Sequence, residues 1–288
     1  MTQAILETTK SRTRKRRKVS PFTYVFLSIF TFISIFPLYW LFVVASNSNE
    51  EIAKIPPSVV PGSRFLVQLR ALYEAVPFNW ALFNTIAIGV VIAVSQVFFS
   101  ALSGFALSKM KFKGKKSFMI FIISTMMLPS QLGVIVLYLI MANYLNWVDD
   151  FKALVDPALV TAFGVFWMRQ TIDTQIPNEI LEAAKLDGAA VFRIFRSIVY
   201  PVIKPSAFVL GLFSFLYTWN DYLFPSLVLN SPKRFTVQIA IRQLNGSYTQ
   251  DYALIMCGAF MATLPLLVLF IFVGKRLVSG VMDGAVKG

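Results

Sequence analysis

The sequence has no histidine, and its 288 residues include a single cysteine, Cys257. The first absence excludes imidazole-based metal sites and His-dependent catalytic triads. The second excludes an internal disulfide framework, and Cys257 itself lies in an apolar run. Charge is scarce as well. Charged residues make up 14% of the chain, where a soluble domain carries about 25%. Hydrophobic residues make up 57%, and the mean hydropathy is +0.67. Such a chain is not a water-soluble enzyme, a disordered segment or a secreted scaffold. It reads as a polytopic membrane protein.

What is present are long apolar runs. A bilayer core of about 30 Å needs about 20 mostly apolar residues in a helix. Six runs qualify as spans: 22–45, 83–107, 118–142, 153–168, 207–229 and 253–273, the fourth being the shortest. They are continuous rather than alternating, so an all-α membrane fold is expected, not a barrel. The first run lacks a small-residue cleavage signature and should stay as a span.

The net charge of +13 could suggest nucleic acid, but its distribution points to topology. With an inside N-terminus, the inside segments carry the tail run from Lys10 to Lys18 and the cluster from Lys109 to Lys116. They also carry Arg169, Lys185, Arg193, Arg196, Lys204, Lys275, Arg276 and Lys287. The outside keeps only Lys54, Arg64, Arg70, Lys152, Lys233, Arg234 and Arg242. Each alternation obeys the positive-inside rule. Both termini are therefore expected in the cytoplasm, with the basic tail near anionic lipid and no nucleic-acid partner. The expected organisation is a cytoplasmic tail (1–21), a first helix (22–45) and an extracellular loop (46–82). A core with five helices (83–278) and a short cytoplasmic tail (279–288) follow. Pro56, Pro57, Pro61, Gly62 and Pro77 mark turns in the extracellular loop.

The inside loop 169–204 is the informative segment. Asn178 fits an N-cap after Pro177, with Glu179 in the first turn. Gly188 fits the left-handed position past a helix C-terminus. Val191, Ile194, Phe195, Ile198 and Val199 then recur on one helical face. Pro201 is expected to end this second helix, and Pro205 to open the fifth span. Two short amphipathic helices around a glycine corner suit either the membrane interface or a docked protein.

These residues resemble a known family. Glu182, Ala183, Ala184, Lys185, Leu186, Asp187, Gly188 and Ala189, followed by Phe195, Ile198, Pro201 and Pro205, look like the EAA loop of bacterial ABC importer permeases. Asp before Gly and Ala after it resemble the carbohydrate-importing, MalG-like branch. Tyr200 stands where that branch usually has Leu. Trp219-Asn220 with Pro225, and the end from Gly284 to Gly288, are further matches. The resemblance implies the six-span MetI-like permease fold and a second, different permease as partner. It also implies two cytoplasmic ATPases that bind ATP and Mg, and an extracellular solute-binding protein. It implies ATPase coupling through Glu182, Ala183, Ala184, Asp187, Gly188, Ala189, Phe195 and Pro201, and a tail contact through Val286, Lys287 and Gly288. The residues agree on one point: no phosphate-binding G-x-x-x-x-G-K-[ST] loop exists, so no cofactor is expected in this chain and ATP hydrolysis belongs elsewhere.

Asp221 is the only acid well inside an expected span, and Pro225 removes the N–H that would bond its carbonyl, so a kink is expected there. Trp219, Asn220, Asp221 and Tyr222 combine rings, an amide and a carboxylate. They suit a sugar path, or equally a polar packing cluster. Gln96 lies in a stripe with Gly89, Ala93, Ser100 and Ser103, which fits helix packing or a cavity lining. A secondary transporter or channel is the alternative, but it would need more intramembrane ionisable groups. An intramembrane enzyme would need paired acids or metal ligands within the spans, and none is there.

Overall fold

The computed structural model describes residues 20–245 and 251–285, without side chains at 130 or beyond 274. The basic tail and the final Val286, Lys287 and Gly288 lie outside these residues. Among the described residues every helix or strand-length element is helical. Four helices are long and apolar enough to cross a membrane: Pro21–Ser46, Phe78–Lys109, Val191–Asn220 and Tyr252–Gly274. A bent pair, Lys115–Met126 with Gln131–Leu145, makes a fifth candidate.

Helix α1 (Pro21–Ser46) is apolar on all sides, and only its last turn, Val43 to Ser46, is buried. Such a surface suits lipid rather than water. The loop that follows is more ordered than its turn formers suggest. It holds α2 (Asn49–Ile52), started by a capping box between Ser48 and Glu51, and α3 (Phe65–Ala75), whose Leu72 is fully buried. Helix α4 (Phe78–Lys109) is the central post. It packs closely on α8 (Ala162–Gln175), where a Cβ on Gly104 would stand 2.7–2.9 Å from Arg169 and Met168 backbone and side-chain atoms. Only glycine permits that approach.

Three expected spans differ in detail. The run 118–142 is α5 (Lys115–Met126), a 3-10 turn after Pro129, then α6 (Val134–Ile140), with an 87° bend between the halves. The run 153–168 is not one helix. Its start forms α7 (Lys152–Val155) and a 3-10 turn Asp156–Ala158 containing Pro157, and α8 begins afresh at a Thr161 cap that accepts from the Gly164 N–H. Pro157 has no N–H to continue the ladder. The run 207–229 is split too, between α11 (Tyr200–Asn220) and α12 (Leu223–Val228).

The loop 169–204 folds as α9 (Asn178–Leu186) and α10 (Val191–Ile194), and α10 continues through a π-helical turn, Phe195–Val199, into α11. Pro201 therefore does not end a helix, contrary to expectation. The wide turn before it accommodates the missing N–H and the ring. Asn178 is the first helical residue, and Pro177 occupies the cap position.

The two ends of the bundle are recognisable by their ties. At one end, Lys109 Nζ donates to the Ile176 carbonyl (2.7 Å) and to Asn178 Oδ1 (3.0 Å), beside an Arg169–Asp173 ion pair. Lys109 to Lys116, Arg169 and Arg196 make this the basic end. At the opposite end, Asn49 bonds Asp251 and the Ala253 N–H, linking α2 to the start of α14 (Tyr252–Ala285). Asn84 donates to the Lys233 and Phe235 carbonyls, and Asp149 accepts from the Asn230 and Ser231 N–H groups.

Candidate functional site

Two arrangements stand out, one on each side of a shared element. The first is the surface of α9. Its underside carries Leu181, which joins Ile194, Phe195 and Val199 in an apolar cluster with Phe105 of α4 and Met168, Ile172 and Ile176 from α8 onward. Its outer side carries Glu182, Ala183, Lys185 and Asp187, all exposed, and Leu186 is 89% exposed. Leu186 thus leaves an aliphatic side chain in water at the end of a charged helix surface.

The corner after α9 is a Schellman motif. Gly188 has φ +77°, its N–H bonds the Lys185 carbonyl, and the Ala189 N–H bonds the Ala184 carbonyl, both at 3.0 Å. Nothing lies within 4 Å of where a Gly188 Cβ would stand. The demand for glycine is thus conformational, as the sequence suggests, and not a matter of space. The expected coupling residues divide into two sets. Glu182, Ala183, Asp187, Gly188 and Pro201 are exposed. Ala184 and Ala189 are partly buried against the cluster, and Phe195 is 6% exposed within it. Phe195 anchors the loop from below and presents little surface to a partner.

The second arrangement is a cavity of about 740 Å³ bounded by α4, α6, α8, α11 and α12. Its polar lining includes Gln96 of α4, Thr161 at the start of α8, and Ser214, Tyr217, Thr218 and Asp221 at the end of α11. Gln96 Nε2 donates to the Ala158 carbonyl (2.9 Å), and its Oε1 accepts from Ser214 Oγ (2.5 Å). It therefore ties three segments together at the cavity wall, which serves both readings of its stripe. Asp221 sits in the break between α11 and α12, just ahead of the N–H groups that begin α12. Asp221 is extended past the end of α11 and Tyr222 precedes α12, so the kink expected from Pro225 is a full interruption.

The four neighbours expected on the path do not act together. Asp221 faces the cavity. Trp219 is 2% exposed, packs on Phe215 with ring centroids 5.6 Å apart, and lies in a core on the other side of α11. Asn220 is exposed and bonds its own helix at the Leu216 carbonyl (2.8 Å), and Tyr222 is 41% exposed outside the lining. Trp219 is thus corrected from a stacking platform to a core residue. In its place stands Tyr217, 70% exposed at the cavity. The missed signal is the polar spacing Ser214, Tyr217, Thr218, Asp221, one face of a helix at i, i+3, i+4 and i+7.

Residues 96–278 match the family described as "Binding-protein-dependent transport system inner membrane component". The chain belongs to this family. It is a permease subunit of an ABC importer, and the matched stretch contains α9, the Gly188 corner and the cavity-lining groups from Gln96 to Asp221. The permease is 30% identical over 280 residues to the arabinooligosaccharides transport permease AraQ of Halalkalibacterium halodurans, covering 95% of this chain and 100% of that protein. It is 32% identical over 275 residues to the maltodextrin transport permease MdxG of Bacillus subtilis, covering 92% and 95%. It is also 30% identical over 277 residues to the sn-glycerol-3-phosphate transport permease UgpE of Yersinia enterocolitica, covering 93% and 98%. In fold, the permease is similar to a chain of a bacterial ABC transporter that imports the acidic polysaccharide alginate. The TM-score is 0.75 at 21% identity, over 88% of this chain and 94% of the other.

Outside the membrane-spanning helices, Asp149 ties two loops of the permease. Burial pushes its carboxyl up, but hydrogen bonds from the Ser231 hydroxyl and the Ser231 and Asn230 N–H groups, with Arg234 at 3.9 Å, outweigh this and hold it below its ordinary value.

Proposed function

We propose that this permease carries a carbohydrate, an oligosaccharide or related sugar, through the polar cavity, and that α9 is the lever by which partner ATPases move it. The observation that carries the reading is the construction of α9: an exposed Glu182–Leu186 face on an apolar underside that is continuous with α11 and so with the cavity wall. A carboxylate at Glu182 suits a cationic partner group. Rigid packed elements transmit shifts as units. Glu182, Ala183, Asp187 and Gly188 form the docking side. Ala184, Ala189 and Phe195 hold it from below, and Pro201 sits at the joint. Asp221, Gln96, Tyr217 and Thr218 face the solute. The names of AraQ and MdxG support an oligosaccharide.

The family membership supports the rest of the assembly that we propose: a second, different permease, two ABC ATPases holding ATP and Mg, and an extracellular solute-binding protein. The chain itself is non-catalytic and binds no nucleic acid. We place it in the bacterial inner membrane with six spans and both termini cytoplasmic. The segment from α7 to α8 is a broken fourth span, supported by its ties to the opposite end near Asp149 and to the basic end at Arg169. In this reading the chain is divided into a tail (1–21), a first helix (22–45), an extracellular loop (46–82), a core (83–278) and a tail (279–288), with Val286, Lys287 and Gly288 reaching an ATPase.

The test is reconstitution of the permease pair with its ATPases in proteoliposomes, with the binding protein outside. Uptake of maltodextrin or arabino-oligosaccharide should require ATP and fail in Gly188→Val. Flux without ATP would instead establish a secondary transporter or channel.

A further inference from the structure

A second space lies on the other side of α11. It is a groove of about 900 Å³ between α4, α11 and α14, open along the surface of the bundle. Its walls are hydrocarbon, from residues such as Val97 and Phe98 of α4, Phe208 of α11, and Leu269 and Phe272 of α14. Gly211 lies on the floor, where only Val97 comes near the position of an added Cβ, at 3.2 Å. The lining holds two charges, Arg196 and Lys204, with Tyr200 between them. Both are cations, both are exposed, and neither has a hydrogen-bond or ion-pair partner among the described residues. No acid lines the groove. The two cations stand eight residues apart on a continuous helix, about 12 Å along its axis.

We propose that this groove binds one anionic phospholipid of the leaflet at the basic end, with acyl chains along Val97, Phe208 and Leu269 and the headgroup phosphate between Arg196 and Lys204. Charge complementarity selects this occupant. A long apolar channel closed at one end by two unpaired cations matches a molecule with hydrocarbon tails and a phosphodiester at one end. An apolar helix from a neighbouring subunit would fill the hydrocarbon part and leave both cations without a counter-charge. The site has a consequence for coupling. Phe195 lines the groove and also belongs to the cluster beneath α9. An acyl chain against its ring would stiffen the joint on which α9 turns, so the lipid would be a structural component of the lever.

The experiment uses the assembled complex in detergent, equilibrated with equimolar phosphatidylglycerol and phosphatidylcholine. Retained lipid is counted by native mass spectrometry. Phosphatidylglycerol should be retained over phosphatidylcholine. The Arg196→Gln/Lys204→Gln pair should weaken its retention about 30-fold, since each basic group near an anionic lipid surface is worth a factor of about five. Lys185→Gln, on the outer side of α9, should leave retention unchanged. A photo-crosslinker at Phe98 in the otherwise unaltered chain gives a second readout that does not depend on the charge variants, and it should label lipid. Equal retention of the two lipids, unchanged retention in the double variant, or labelling of a protein chain from Phe98 would each overturn the proposal. The last of these would identify the groove as a subunit interface.

Discussion

At the basic end, the segment between α8 and α11 is held by packing. Leu181, Ile194, Phe195 and Val199 rest on Phe105, Met168 and Ile172, and the polar ties are few. At the opposite end the loops are held by polar side chains that reach backbone. Asp149 binds the Asn230 and Ser231 N–H groups, Asn84 binds two carbonyls, and Asn49 with Asp251 joins α2 to α14. The difference is one of directionality. Apolar contact depends on area and survives a small slide. A hydrogen bond weakens steeply once its angle is lost. The packing at one end tolerates a small slide without detaching, and the bonds at the other hold a fixed shape.

The comparison can be broken most severely at Phe195. Phe195→Ala should destabilise the complex by about 3–5 kcal/mol, as core aromatic truncations do. A melting curve of the assembled complex in detergent reads this, and an unchanged midpoint would mean that packing does not hold the loop. At the opposite end, Asn84→Leu strands the Lys233 and Phe235 carbonyls. The expected loss is about 1–3 kcal/mol for a buried polar group left unpaired, seen as faster amide exchange around residue 235. Gly188→Val should cost about 1–2 kcal/mol, because a side chain in the left-handed conformation is strained. ATP-driven uptake should fall at least about tenfold, the rate equivalent of about 1.4 kcal/mol. Gly188→Asn should retain most of it, since asparagine tolerates that conformation.

Asp149 sharpens the contrast through pH. Its carboxyl is held below the ordinary 3.8, so its contribution is present above that value and is lost as pH falls through the lowered one. The melting difference between the unaltered chain and Asp149→Asn should be present at neutral pH and vanish in acid. A difference that persists in acid would mean that the charge is not what ties the loops. The smallest effect on stability belongs to Glu182→Gln, at about 0.3–1 kcal/mol for an exposed acid near a helix start. Its effect on uptake should be far larger, and normal uptake would remove Glu182 from the docking side.

How much of this could be read in the chain varies with the kind of rule involved. Gly188 was legible because a single backbone conformation demands one residue type. The α9 surface was legible because amphipathic spacing assigns faces. Pro201 was misread because the rule for proline concerns regular α-helix, and the π-turn before it changes which carbonyl the ring meets. The run 153–168 looked continuous because hydropathy does not register Pro157. Trp219 was placed on the path by its neighbours in sequence. On a helix, adjacent residues point about 100° apart, so its face differs from that of Asp221. The stripe from Ser214 to Asp221 held the information that the dipeptide did not. Lys109 clamps Asn178 across the bundle, and no local pattern announces a contact made over such a sequence distance.

The π-turn Phe195–Val199 also limits how the chain can vary in length. It holds one residue more than a regular turn would need. Deleting any one of its residues would restore regular α-helix and rotate everything before it by about 100° relative to α11. Leu181 and Phe195 would then swing out of their cluster and Glu182 would face a new direction. Related chains should therefore accept substitutions in this stretch while keeping its residue count fixed, even where the loops at the opposite end grow or shrink.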